Sequence, residues 1–172
     1  MIQNILKLSE IQNHRTDLSK TTVSAKDCFG EILDEYRELC ECMDITFYMP
    51  ESIDRLPHLM TNKESVREIM KVLLDNAVKF VPEGGSIWVE ASPASGHAVF
   101  CVRDNGPGIP KEQHQLVFER FFKSAEETNQ GGSGLGLAIA RELADGLGEK
   151  IWVESEAGMG AAFFFTIHFS WT

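Results

Sequence analysis

An α+β two-layer sandwich is the fold class this sequence predicts, and three observations predict it. Strand-like and helix-like segments interleave along the chain, each long helical segment carries one apolar stripe, and all of those stripes can pack on one face of a single sheet. The chain has 172 residues, 43% of them hydrophobic. A chain of this size buries roughly 70% of its unfolded surface in one domain, with no disulfide or metal needed to hold it. No internal repeat or low-complexity tract interrupts the pattern.

Taken in order, residues 1–12 put Ile2, Ile5, Leu6 and Ser9 on one stripe, which reads as the last turns of an amphipathic helix in need of a partner. The pattern begins part-way through, as in a piece cut from a longer protein. A polar stretch runs from Asn13 to Ser24. The spacing of Phe29, Ile32, Leu33, Tyr36, Leu39 and Cys40 then predicts a helix over 26–43, and a short strand follows around 45–49. Asn62 is a candidate N-cap for a helix that turns Val66, Ile69, Met70, Leu73 and Ala77 inward until Pro82-Glu83-Gly84-Gly85 stops it. Two antiparallel strands, 86–91 and 97–103, are joined by Ser92-Pro93-Ala94-Ser95-Gly96. A short amphipathic helix between Gln113 and Phe122 precedes a polar loop from Ser124 to Gly132. A helix over 134–147 ends at Gly148, placed as a C′ residue, and two closing strands fall near 150–155 and 161–169.

Bulk properties exclude several functions. The net charge is −10, with 16 Lys and Arg scattered among 26 Asp and Glu, so the basic stripe of a nucleic-acid surface is absent. The four cysteines, Cys28, Cys40, Cys42 and Cys101, lack paired CxxC spacing, and Cys40 and Cys42 are too close to bridge easily, so all four read as reduced core thiols. No apolar run approaches the ~20 residues that span a bilayer, and no basic-then-apolar leader opens the chain. The chain itself is expected to be soluble and cytoplasmic, without membrane contact.

Three short stretches carry the chemistry: Leu73-Leu74-Asp75-Asn76-Ala77-Val78-Lys79-Phe80, Asp104-Asn105-Gly106-Pro107-Gly108-Ile109 and Gly131-Gly132-Ser133-Gly134-Leu135-Gly136-Leu137. At about 100° per residue, Val72, Asn76 and Lys79 share a helix flank beside the buried stripe. The Asn76 oxygen is a hard ligand suited to Mg2+, which keeps waters and borrows phosphate oxygens, and Lys79 is a point charge for phosphates. Asp104 closes the apolar run Ala98-Val99-Phe100-Cys101-Val102, so its carboxylate emerges where a buried strand ends, able to accept from an amine such as that of adenine. Gly106 and Gly108 are expected to take positive φ and let the backbone approach a flat ring, with Ile109 packing on it. Ser133 is expected to cap the following helix, whose first amides face an anion. The third stretch is neither a Walker A loop nor a dinucleotide fingerprint.

With these residues the chain resembles the catalytic, ATP-binding domain of bacterial sensor histidine kinases, within the wider group of gyrase, heat-shock chaperone, histidine kinase and mismatch-repair ATPases. The resemblance runs from about residue 25 to the end. Asn76-Ala77-Val78-Lys79-Phe80 is similar to the family's N box, Asp104 to Gly108 to its G1 box, Gly132 to Leu137 to its G2 box, and Phe118-Glu119-Arg120-Phe121-Phe122-Lys123 to its F box. The resemblance implies a mixed sheet of five strands with three helices on one face. It implies that Asn76 holds Mg2+, that Lys79 and Lys123 meet the phosphates of ATP, that Asp104 reads adenine, and that Phe80 lines the pocket. Gly106, Gly108, Ile109, Gly132, Ser133, Gly134, Leu135, Gly136 and Leu137 then complete the nucleotide site, under a lid around Ser124–Gly132. The chain departs from the family at Val72, where a polar residue usually stands four positions before the N-box Asn.

On this reading residues 1–24 are the end of a dimerisation and phosphoacceptor helix plus linker, and 25–172 the catalytic domain. The implied partners are that hairpin, carried by the same homodimeric parent, and the receiver domain of a response regulator. The parent's membrane attachment lies outside these residues. His14-Arg15-Thr16-Asp17-Leu18 only superficially echoes an acceptor box, lacking its spacing and its proline, and reads as linker. His58, His97, His114 and His168 show no partner that points to a triad or metal cluster. The expected function is transfer of the γ-phosphate of ATP to a histidine on the hairpin. An anti-sigma-type serine kinase and a catalytically weak nucleotide-dependent binding module are the alternatives.

Overall fold

Alternation in 97–104 decides how the layers stack. Ala98, Phe100, Val102 and Asp104 point to one face of their strand and His97, Val99, Cys101 and Arg103 to the other, so one side of the sheet is continuously apolar until its last residue. The computed structural model describes residues 2–13, 16–123 and 134–171. It runs α1 (Ile2–Gln12), β1 (Thr21–Val23), α2 (Ala25–Cys42), β2 (Thr46–Tyr48), β3 (Leu59–Thr61), α3 (Lys63–Phe80), β4 (Ser86–Ala94), β5 (His97–Asp104), α4 (Gly136–Gly146), β6 (Ile151–Ser155) and β7 (Ala161–His168). Five strands form one sheet in the order β2-β4-β5-β7-β6; β2 runs parallel to β4 and every other pair is antiparallel, so the sheet is mixed as expected.

Helices α2, α3 and α4 cover the apolar face. Phe29 of α2 packs on Phe100 of β5 at 4.9 Å between ring centroids, and Phe100 stacks on Phe165 of β7 at 5.2 Å. The predicted inward residues of α3 are all buried, and Ser65 N–H donates to Asn62 Oδ1 at 3.0 Å, which makes Asn62 its N-cap. The end of α4 is a Schellman turn: Glu149 N–H bonds Ala144 O at 2.8 Å and Gly148 N–H bonds Asp145 O at 3.1 Å.

Several local expectations are corrected. The stripe of Ile2, Ile5 and Leu6 faces outward, with Ile2 75% exposed, while Leu8 and Ile11 are buried on the side where α1 packs on α4. A small rotation of a weakly patterned helix exchanges its faces. Leu39 is exposed and Cys28 takes a buried place on α2 instead. The polar stretch Asn13–Ser24 contains β1, which pairs with the likewise unanticipated β3 in a two-stranded sheet; three residues are too few to carry a readable period. The hairpin of β4 and β5 continues to Ala94, so its turn is only Ser95-Gly96. In place of the helix expected between Gln113 and Phe122 the chain makes a 3-10 turn, Leu116–Phe118, preceded by another, Lys111–Gln113, because neighbouring Val117 and Phe118 both bury and the segment is too short to propagate an α-helix. Cys28, Cys40 and Cys101 are buried free thiols, and burial pushes Cys28 up to about 11 and Cys101 up to about 12; Cys42 is free but exposed.

His168 has a carboxylate partner after all. The Glu149 side chain, 1% exposed, accepts from Thr166 Oγ1 at 2.7 Å and from His168 N–H at 2.8 Å, with His168 Nδ1 at 2.9 Å. This cluster ties the turn after α4 to the end of β7. Glu149→Ala should lower the free energy of unfolding by about 2 kcal/mol, because the buried Thr166 hydroxyl and the part-buried His168 N–H lose their acceptor, and Glu149→Gln should cost less. Urea unfolding of the two variants checks this, and an unchanged midpoint for Glu149→Ala would contradict it.

A two-part cavity at the end of the central strand

Two adjoining cavities open where α3, α4 and the end of β5 meet. The first, about 950 Å³ with its open mouth, is lined by Asn4, Lys71, Val72, Asn76, Lys79, Phe122, Gly134 and Gly136 among others. The second, about 470 Å³, is narrower and more apolar, lined by Phe80, Asp104, Ile109, Gln113, Ala161 and Phe163 among others. Asn76, Val117 and Leu137 line both, so the two are one bipartite site with Asn76 at the junction.

Asp104 anchors the narrow end. As the last inward-facing residue of β5 it is 4% exposed, and its Oδ1 accepts from Gly106 N–H at 2.8 Å. Burial raises its carboxyl above the usual range, opposed by the backbone N–H groups of Gly106 and Ala161. The two glycines that follow serve the protein's own walls. Gly108 has φ +76°, and a Cβ there would collide with the Glu156 carbonyl oxygen; a Cβ at Gly106 would lie 2.6 Å from that of Phe80. Gly106 does not take positive φ, which corrects the expectation for it. Ile109 is held by its N–H donating to Ser155 Oγ at 2.8 Å, and Ser155 Oγ in turn donates to the Gly160 carbonyl at 2.6 Å.

The wide end is polar. Helix α3 presents Val72, Asn76 and Lys79 there, as the flank argument requires, with Lys79 Nζ 5.4 Å from the Phe80 ring centroid. Lys71 donates to Asp75 Oδ2 at 3.0 Å, and the Tyr36 hydroxyl donates to Asp75 Oδ1. Burial, and then that bond, raise the Tyr36 phenol above its ordinary range, and the bond to Asp75 likewise raises Lys71. Helix α4 starts at Gly136 with Leu135 at its N-cap and no side-chain cap among the described residues, so its first turn, whose amides have no intrahelical acceptor, begins beside the cavity. The N-cap position is Leu135, so the helix starts two residues later than the 134–147 expected, after a turn at Gly134; the capping role expected of Ser133 falls outside the described residues.

Asn76, Lys79, Phe80, Asp104, Gly108, Ile109, Gly134, Gly136 and Leu137 thus come together at the site. Gly106 lies beneath Asp104, Leu135 is fully buried in the core, and Lys123 is not among the lining residues. Gly132, Ser133, His14 and the lid around Ser124–Gly132 lie outside the described residues. Sequence reasoning missed Gln113 and Val117, which sit in an irregular segment without periodicity, and Asn4, whose place follows from α1 lying on the domain by its Leu8 and Ile11 side. Lys71 and Asp75 were legible in principle, as neighbours of Asn76 and Lys79 at helical spacing.

The arrangement fits a ligand with a flat polar head and an anionic tail. Among the described residues, no group of three or more His, Cys, Asp or Glu could hold a metal ion by itself. Asn76 supplies one neutral oxygen at the junction, which suits a divalent cation arriving with phosphates that complete its shell. No helix among the described residues is long and apolar enough to cross a membrane.

Comparison with known proteins agrees with this geometry. Residues 61–170 match the family described as histidine kinase-, DNA gyrase B- and HSP90-like ATPase. The chain is 31% identical over 170 residues to the adaptive-response sensory kinase SasA of Synechocystis sp., covering 97% of this chain and 44% of that one, so it spans less than half the length of this curated relative. The full-length structure of ShkA in complex with AMPPNP aligns with TM-score 0.85 and 26% identity over 98% of this chain and 35% of that one. The nucleotide-free catalytic domain of histidine kinase ThkA aligns with TM-score 0.74 and 26% identity over 87% of this chain and 97% of that one.

The raised Asp104 carboxyl has a sign that can be measured. Its folded value lies above 3.8, so the folded state holds the proton more tightly and stability falls as pH rises from 3.8 through the folded value. The full penalty is present once the pH is above the folded value. Without ligand, Asp104→Asn should therefore be at least as stable as the parent at pH 7, the difference closing towards pH 4; urea unfolding at both values checks it.

Proposed function

The chain belongs to the histidine kinase-, DNA gyrase B- and HSP90-like ATPases, and we propose that it works as the ATP-binding catalytic domain of a sensor histidine kinase. It would present the γ-phosphoryl group of ATP to a histidine on the dimerisation hairpin of a homodimeric parent, from which the group passes to the receiver domain of a response regulator. The observation that carries this reading is the junction position of Asn76, between a narrow end closed by Asp104 and a wide end with Lys79, Lys71 and the start of α4. The kinase relatives support it; the serine kinase alternative has no such support and is not favoured.

In this reading Asp104 accepts from the adenine amine while Phe80, Ile109 and Leu137 sandwich the ring. Lys79 and the first amides of α4 meet the phosphates, and Lys123, Gly132 and Ser133 add to that end by resemblance. Asn76 would hold Mg2+, which, when bound, neutralises charge on the phosphate oxygens. This chain's residues contribute position and charge rather than a covalent step, and attack comes from the acceptor imidazole in line with the leaving ADP oxygen. Val72, one turn before Asn76, offers no polar atom to the cavity, so the metal's remaining ligands would come from the phosphates and water.

Given radiolabelled ATP and the hairpin supplied in trans or in the full-length parent, label should appear on the hairpin histidine. Label on serine, or tight ATP binding with no transfer at all, would overturn the assignment. Asp104→Asn should weaken ATP binding at least tenfold while the protein stays folded. Asn76→Ala should remove the part of ATP affinity that depends on Mg2+, so that its affinity no longer changes when EDTA is added; isothermal titration with and without metal reads this directly.

A further inference from the structure

The narrow cavity holds a second hydrogen-bonding group that the fold does not use. Gln113, last residue of the turn Lys111–Gln113, lines that cavity together with Asp104, and its Oε1 is buried with no hydrogen-bond partner among the described residues. A buried carbonyl left unpaired is destabilising, and folded proteins rarely keep one without a use. Thr61 Oγ1 is the other such atom among the described residues, and it lines neither cavity.

The turn does not need the Gln113 side chain to hold its place. Gln113 N–H bonds Pro110 O at 2.9 Å, the His114 ring lies 3.0 Å from Ile109 O, and Ile109 N–H bonds Ser155 Oγ at 2.8 Å. The segment is tied to the turn between β6 and β7 by backbone and by other side chains. The Gln113 Oε1 is left over, in the cavity that also holds the buried carboxylate of Asp104 and whose remaining walls include Phe80, Ile109, Val117 and Phe163.

We propose that Gln113 is a base-reading residue: its Oε1 accepts one hydrogen of an exocyclic purine amine whose other hydrogen goes to Asp104. This rests on the nucleotide reading above and adds a specificity determinant to it. An adenine amine carries two in-plane hydrogens, and two acceptors in one cavity satisfy both. Guanine presents a carbonyl oxygen at the same ring position, which would set three acceptors against one another with no hydrogen between them, so GTP is rejected by both residues together.

Gln113→Leu, close in volume, separates this role from packing. Titration should show ATP bound about tenfold more weakly than by the parent. Purine riboside triphosphate, which lacks the amine, should bind the two proteins equally. Without nucleotide, the melting temperature of Gln113→Leu should be unchanged or higher, because an unpaired carbonyl has gone. Equal ATP affinity in variant and parent would overturn the proposal, as would an undiminished loss with purine riboside triphosphate or a lower melting temperature alongside weaker binding. A loss that disappears only with 7-deaza-ATP would also overturn it, since that marks the amide as a donor to N7. Failure of the parent itself to bind ATP would overturn the nucleotide reading as well, whereas the other outcomes leave that reading standing.

Discussion

The buried carboxylate of Asp104 is the constraint around which the rest of the site is organised. Strand alternation puts residue 104 on the same face as Ala98, Phe100 and Val102, so the last position of an apolar row is filled by a charge. Two backbone N–H groups offset only part of that desolvation, because the carboxyl still sits above its ordinary range. Its neighbours are shaped to keep it there. The chain doubles back at once through Gly106, whose missing side chain admits the Phe80 carbonyl, and Gly108, whose left-handed turn admits that of Glu156. End of α3, end of β5 and the β6–β7 turn are thereby clamped together, and the cavity is the space that clamp encloses.

This geometry divides the site into two kinds of wall. The narrow end is made by the sheet and by a segment bonded to it through Ser155 and Gly160, so its shape is fixed by the core. The wide end is made by one flank of α3, the start of α4 and a corner of α1, with charges that pair among themselves, as Lys71 and Asp75 do, the latter also accepting from the Tyr36 hydroxyl. A rigid apolar slot selects shape and hydrogen-bond pattern; an open polar end tolerates rearrangement while charge moves.

How much of this was legible in the sequence follows from the length of each signal. Helix α3 spans eighteen residues, and its stripe, cap and flank were all readable, so Asn76 and Lys79 fell where the spacing put them. Asp104 was readable because a strand's alternation is as regular as a helix's. The failures are short or weakly patterned: three-residue β1 and β3, the two 3-10 turns, the start of α4, and α1, where two apolar stripes compete and tertiary packing on α4 chose Leu8 and Ile11. Gln113 could not be found from sequence, since a polar residue in an irregular segment reads as surface until the chain around it is seen to close.

Two acceptors held without full satisfaction in one cavity couple the free energy of the fold to that of its ligand. Without ligand, Asp104 carries a desolvation penalty and Gln113 Oε1 lacks a partner, so the empty domain is less stable than its core would allow. A ligand that supplies two donors relieves both at once, and that relief counts towards its affinity and the protein's stability alike. A ligand with the wrong pattern leaves both groups buried and unsatisfied. If the ligand is the purine nucleotide proposed above, discrimination would arise less from what the right base touches than from the unpaired atoms a wrong one would trap, and the instability of the empty cavity is the same quantity seen from the side of folding.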